Sequence, residues 1–199
     1  MTLRIGCRNA TISRAMRKVE YLIDKRKWSP SLIPGPIVLI STNNNAGEPN
    51  AAPKSWLSMV SFEPPILMFS GSRGNTTESN ILQTGCFAVN FVDSSMADTV
   101  FGCLKWHGRE RIEKCGFALA PASVIDAPLV DNCRAHLECK LIETKEMGSG
   151  FVIFGQIVAA SIWDKIMKVE PDKRYELLDQ IVFLEDGVWG KVEDIHQID

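Results

Sequence analysis

The sequence predicts a mainly β protein, an antiparallel sheet closed into a barrel with helices outside it. Three observations carry this. Apolar stretches of strand length are joined by tight turn signals, first across residues 37–70 and again across 136–163. Segments of helical periodicity stand between these groups instead of alternating with single strands. Steady strand–helix–strand repetition is missing, so a doubly wound parallel sheet is disfavoured.

Residues 12–27 read as a helix, because Ile12, Met16, Val19, Leu22 and Ile23 recur at helical spacing. Trp28-Ser29-Pro30 ends it, and Pro34-Gly35-Pro36 leads into a strand at 37–42. Asn43-Asn44-Asn45-Ala46-Gly47-Glu48-Pro49 is dense in residues that tolerate positive φ and reads as a hairpin tip. A strand over 50–62 follows, broken by Glu63-Pro64-Pro65, and then a short apolar strand at 66–70. Residues 76–84 form a helix that Asn75 or Thr76 can cap and Gly85 ends. A strand at 86–92 precedes a second helix at 94–106, capped by Ser94 or Ser95. Residues 107–114 are polar and read as a loop with one helical turn. Two long strands, 136–147 and 151–163, flank Gly148-Ser149-Gly150. A short helix at 173–180 leads to strands at 181–184 and 188–189 around Glu185-Asp186-Gly187.

The chain is 45% hydrophobic and 23% charged with a net charge of −2, which supplies a core and argues against nucleic acid as a partner. No apolar run is long enough to span a membrane and no secretory signal is present, so a cytoplasmic protein without membrane partners is expected. Positive charge crowds the first 28 residues (Arg4, Arg8, Arg14, Arg17, Lys18, Lys25, Arg26, Lys27). Tyr21, Leu22 and Ile23 inside that stretch favour a basic amphipathic helix over a targeting peptide. Of six cysteines none forms a CxxC pair, and most sit among apolar neighbours, as buried thiols in a reducing compartment do. Three regions are expected: a basic extension at 1–28, a barrel domain at 29–164, and a C-terminal extension at 165–199 that packs on the barrel or on a partner.

Two stretches carry chemistry. In Ser70-Gly71-Ser72-Arg73-Gly74-Asn75-Thr76-Thr77-Glu78-Ser79-Asn80 a strand ends, a glycine-containing loop turns, and a helix begins. The helix start offers unpaired N–H groups, the hydroxyls of Thr76 and Thr77 stand at the same end, and Arg73 adds a charge. That suits one phosphate group, although an ordinary helix cap uses the same residue types. Neither a Walker loop nor a dinucleotide fingerprint is present. In Asn50-Ala51-Ala52-Pro53-Lys54-Ser55-Trp56 small residues admit a flat ligand. Pro53 marks a strand edge whose backbone groups can bond a ring's polar rim, and Lys54 can set a charge beside it. Cys103 and His107 are four apart on the predicted helix, but no second pair sits at metal spacing, so no metal site is expected. No acid–base pair or nucleophile arrangement stands out, and no catalytic side chain is expected.

Asn50-Ala51-Ala52-Pro53-Lys54-Ser55-Trp56, Val60-Ser61-Phe62-Glu63-Pro64-Pro65, the strand at 66–70, Asn80-Ile81, Phe87-Ala88-Val89-Asn90, Ala127-Pro128, Leu137-Glu138-Cys139-Lys140-Leu141 and Phe154-Gly155-Gln156-Ile157-Val158 resemble in order the flavin reductase-like, FMN-binding split-barrel family, which includes flavoredoxin and small flavin reductases. The resemblance covers residues 35–160. It implies an antiparallel split β-barrel of Greek-key type with flanking helices, a homodimer, and FMN near the dimer interface. Asn50 and Trp56 would approach the flavin or its phosphate. The backbone of Ala52, Pro53, Lys54 and Ser55 and of Ser70, Gly71 and Ser72 would line the ring and ribityl chain. Thr77 and Asn80, at the helix start with Thr76, would hold the phosphate end. Where many members carry a histidine before Phe154-Gly155, this chain has Ser149 and Gly150; Gly108-Arg109-Glu110-Arg111 matches a family segment only in part. The implied activity is an oxidoreductase in which NADH or NADPH reduces FMN and electrons pass to flavin, iron or a partner. A non-catalytic FMN-binding electron carrier is the alternative.

Overall fold

The computed structural model describes residues 32–185 and 187–196. The expected helix at 12–27 and the extension at 1–28 lie outside them. In chain order the elements are β1 (Gly35–Pro36), β2 (Val38–Asn43), β3 (Pro49–Lys54), β4 (Leu57–Phe62), β5 (Pro65–Gly71), α1 (Thr76–Thr84), β6 (Cys86–Phe91), α2 (Ala97–Gly102), α3 (Gly108–Cys115), β7 (Leu119–Ala120), β8 (Leu129–Val130), β9 (Ala135–Met147), β10 (Gly150–Ile162), α4 (Asp164–Met167), α5 (Pro171–Leu178), β11 (Ile181–Glu185) and β12 (Val188–Lys191).

The main sheet has seven antiparallel strands in the order β3-β2-β6-β9-β10-β5-β4. Its two edge strands, β3 and β4, are consecutive in the chain, with only Ser55 and Trp56 between them. A flat sheet of this size would hold its edges about 29 Å apart, at about 4.8 Å per strand. The three steps from Lys54 to Leu57 reach about 11 Å at most. The sheet must therefore curl until its edges nearly meet, and β3 does approach β5, which lies next to the far edge. Among the described strands no ladder joins β3 to β4 or β5, although the Ser70 N–H donates to the Trp56 carbonyl at 3.0 Å. The result is an open, split barrel with its seam at Ser55–Trp56. The β9–β10 hairpin inserts between β5 and β6, the interleaving expected of a Greek key.

β2 shows why the barrel has two cores. Its side chains alternate, and both faces are covered. Val38 and Ile40 point into the barrel with Leu67, Phe69, Ile81, Phe87 and Ile153. Leu39, with Ile37 just before the strand, packs outside it with Ala51, Val100, Ile112, Val130 and Ile181. A strand buried on both faces has a continuous apolar run, which is what residues 37–40 are. Burial of each such side chain contributes about 1.5–3 kcal/mol. β11 and β12 form a three-stranded sheet with β1 against the outer core. Among the described residues no helix is long and apolar enough to cross a membrane.

Three expectations are corrected. The strand over 50–62 is two strands, because the chain leaves one edge of the sheet at Ser55 and enters the other at Leu57. The helix at 94–106 is divided: 3-10 turns at 94–96 and 103–105 flank α2, and Asp93, not a serine, caps the first turn by accepting from the Ser95 N–H at 2.9 Å. The loop at 107–114 is a helix, α3. Its buried residues are Arg111 and Ile112, adjacent in sequence, so it carries no apolar stripe at helical spacing.

Candidate functional site

Eight of the twelve predicted site residues line two cavities beside the seam, and Asn50, Gly71, Ser72 and Asn80 line neither. β3, the sheet edge that Pro53 predicted, ends at Lys54. On one side of it lies a polar cavity of about 200 Å³ lined by Ala52, Pro53 and Lys54, by Asn75, Thr76 and Thr77, and by Leu104, His107 and Arg111. On the other lies an apolar cavity of about 360 Å³ lined by Ser55, Trp56, Leu57 and Ser58, by Met68, Phe69, Ser70 and Val152, and by Ile33, Pro34 and Gly35.

The helix start is as predicted. Asn75 takes the N-cap position with extended backbone, yet its side chain makes no capping bond, and Gly85 ends the helix in the left-handed region at φ 71°. The first turn of α1 therefore presents its N–H groups without a side-chain acceptor. Thr77 is buried, and its Oγ1 accepts from Asn50 Nδ2 at 2.9 Å. Asn80, also buried, donates to Thr42 Oγ1 at 3.0 Å and so ties α1 to β2. Both asparagines serve the site from beneath: they hold the helix start against β2 and β3 and line neither cavity.

The positive charge at the helix start differs from the expected one. Arg73 is exposed and paired with Glu146 on β9, so it turns away from the polar cavity. Arg111 takes its place. It is 6% exposed, and its hydrogen bonds run to neutral carbonyl oxygens: Nε to those of Trp106 at 2.7 Å and Cys103 at 3.1 Å, Nη1 to those of Ala51 at 3.1 Å and the Asn50 side chain at 3.5 Å. No carboxylate among the described residues pairs with it. Burial draws its pKa below the ordinary guanidinium value, but a guanidinium stays charged. A buried charge without a counter-ion is costly, and this one faces a cavity that also holds a helix N-terminus.

Lys54 is in the opposite situation. Its ammonium is bonded to Glu78 of α1, and the two side chains are 12% and 2% exposed. Gly71 closes over the pair, since a Cβ there would lie 1.6 Å from Glu78 Oε1. Ser72 is exposed in the following loop. The β9–β10 hairpin runs beside this point, with Phe151 opposite Gly71 and Val152 opposite Ser70. Arg111, Glu78 and His107 were not among the site residues expected from sequence. The partial family match at Gly108-Arg109-Glu110-Arg111 was the available signal for Arg111.

Cys103, Cys133 and Cys139 line neither cavity. Burial pushes Cys103, Cys133 and Cys139 up to about 12. Cys103 lies buried in a 3-10 turn while His107 caps α3, so they do not share a helix face. Among the described residues no group of three potential ligands could hold a metal ion.

Comparison with known proteins agrees with this architecture. The flavin reductase like domain matches residues 31–175. An uncharacterised protein of Aquifex aeolicus (strain VF5) is 31% identical over 156 residues, 73% of this chain and 78% of that one. The 2-nitrobenzoate 2-nitroreductase NbaA of Pseudomonas fluorescens superposes with a TM-score of 0.76 at 26% identity, covering 85% of this chain and 86% of that one. A candidate flavin reductase with a split barrel domain from Shewanella frigidimarina NCIMB 400 has the same fold, with a TM-score of 0.76 at 19% identity and coverage of 83% and 86%. Both the seam geometry and these matches lead to one conclusion: this chain belongs to the flavin reductase like domain family.

Proposed function

We infer that the protein binds FMN across the seam, with the phosphate in the polar cavity and the ring in the apolar one. The observation that carries this is Arg111, a buried cation without a carboxylate partner among the described residues, beside an uncapped helix start. A phosphate monoester supplies the missing counter-charge, and both the first-turn N–H groups and Arg111 can donate to it. The larger cavity falls within the range of small-molecule sites and is walled by Trp56, Met68 and Phe69, as a flat hydrophobic ring requires. Ser55 and Trp56 join the two cavities along the chain and present backbone groups to the ligand between its ends.

On this reading the protein is an oxidoreductase that takes reducing equivalents from NADH or NADPH and passes them to flavin, iron or a partner. The bound flavin supplies the hydride chemistry. The chain's own residues hold the phosphate, exclude water from the ring and leave one face open to a second reactant. A nitroreductase with 26% identity among its structural neighbours supports the redox assignment. The chain is also proposed to be a homodimer. Trp56 at the seam and Met59, Val60 and Phe62 along the edge strand β4 are exposed, Phe62 by 89%, and a second copy would cover them.

The alternative is an electron carrier that holds FMN without turning over a nicotinamide. Ser149 and Gly150, standing where many members carry a histidine, favour it. Purified protein titrated with FMN and riboflavin, followed by ring fluorescence, tests the binding; anaerobic bleaching by NADH or NADPH tests the chemistry. FMN bound at least tenfold more tightly than riboflavin, with bleaching by either nucleotide, is the expected result. Binding without bleaching leaves the carrier, and failure to take up either flavin removes both readings.

A further inference from the structure

Two cations, Lys54 and Arg111, line the polar cavity, and the structure treats them differently. Arg111 is held by carbonyl oxygens and keeps its full charge for whatever enters. Lys54 is committed to Glu78. The Glu78 side chain is 2% exposed, and its second oxygen, Oε2, is buried without a hydrogen-bond partner among the described residues. Lys54 is thus the nearest compensation that carboxylate has. Gly71 confines the carboxylate against the ammonium, because any side chain there would occupy the position of Oε1. Arg73, the other cation at this helix start, is turned to Glu146 at the surface.

We propose that Glu78 is a specificity-determining residue that masks Lys54 and sets the charge of the polar cavity to match one phosphate monoester. With the pair intact, one uncompensated cation, Arg111, and the α1 N-terminus face the ligand. That suits a single phosphate group of about −1.5 to −2 charge. Without Glu78, two full cations would face it. The site would then bind every anion more tightly, a phosphate monoester included, and would no longer be matched to a single phosphate over more highly charged anions. Glu78 touches no ligand in this account; it acts through Lys54. The proposal rests on the phosphate reading of the cavity given above, and its test separates the two.

The probes are inorganic phosphate, FMN and riboflavin, and the proteins are wild type, Glu78→Gln, Lys54→Met and the double variant. A unit charge gained or lost a few ångströms from a phosphate at a partly buried site changes affinity by about tenfold or more. Glu78→Gln keeps the shape and an acceptor for Lys54, so it should bind inorganic phosphate about tenfold more tightly and raise the preference for FMN over riboflavin by a similar factor. Lys54→Met leaves Glu78 uncompensated and should shift both in the opposite direction. The double variant should return close to wild type. Opposite shifts in the two single variants are what a purely structural role for the pair does not produce, since breaking a buried pair from either side would weaken binding in both. Equal phosphate affinity in wild type and Glu78→Gln overturns the proposal. If Glu78→Gln does not fold, riboflavin serves as the control for an intact site: a loss confined to phosphate and FMN in Lys54→Met, recovered in the double variant, supports the charge role, and equal affinities or a parallel loss of riboflavin overturn it. If the phosphate pattern holds while no protein takes up either flavin, the charge assignment stands and the flavin reading falls.

Discussion

The two cavities beside the seam are built from one stretch of chain and have opposite characters. Before Ser55 the walls are a helix start, two cations and two threonines; after it they are Trp56, Leu57, Met68 and Phe69. The alternation comes from the sheet edge. Up to Lys54 the chain lies against α1 and α3, which bring polar groups, and beyond it the chain joins β5, which brings an apolar face. One ligand with a charged end and a flat apolar end fits such a division. Two separate small ligands would have no need of the shared Lys54–Trp56 segment.

The comparison can be broken most sharply at Arg111. Arg111→Met should reduce the preference for FMN over riboflavin by about a hundredfold, roughly 2.7 kcal/mol, while riboflavin affinity itself changes little. Parallel titrations of the two flavins measure it, and equal losses for both would assign Arg111 to holding β3 instead. Gly71→Ala comes next. The new methyl must displace the Glu78 carboxylate from Lys54 in a confined space. Destabilisation of about 2 kcal/mol is expected, a fall in Tm of about 5 °C for a chain of this size, read by thermal unfolding.

Trp56→Ala addresses the apolar side. It should weaken FMN and riboflavin equally, by about tenfold, because on the proposed reading the indole would meet only the ring that both flavins share. A selective loss of FMN would place the phosphate, not the ring, beside Trp56. The smallest effect is that of salt. Raising the salt from 0.05 to 0.5 M should weaken FMN by about threefold and leave riboflavin unchanged, since only the phosphate end is screened. Fluorescence titrations at the two salt concentrations decide it.

Much of this was legible in the residues. The helix at 76–84 and its stop at Gly85 follow from local propensity. The edge position of β3 follows from Pro53, which cannot donate to a neighbouring strand. The start of that helix at Thr76, with Asn75 before it, was readable for the same reason. α3 was not legible. Its inward side is a single isoleucine and an arginine, and burial of an arginine has no signature in a sequence without knowledge of the carbonyls that receive it.

By itself, then, the sequence determined where the chain turns, which hairpins form at 43–49 and 148–150, and where the helix at 76–84 begins and ends, because these depend on neighbours within a few residues. The tertiary structure decided the seam, since only the order of seven strands makes Ser55 and Trp56 bridge two edges. It also decided the charges. Arg73, Lys54 and Arg111 carry the same charge, and their roles differ because Glu146 stands beside the first, Glu78 beside the second, and carbonyl oxygens of Cys103, Trp106 and the distant Ala51 beside the third. Electrostatic roles are set by distance in space, and three of these partners lie 24 to 73 positions away in sequence: Glu78 from Lys54, Ala51 from Arg111, and Glu146 from Arg73.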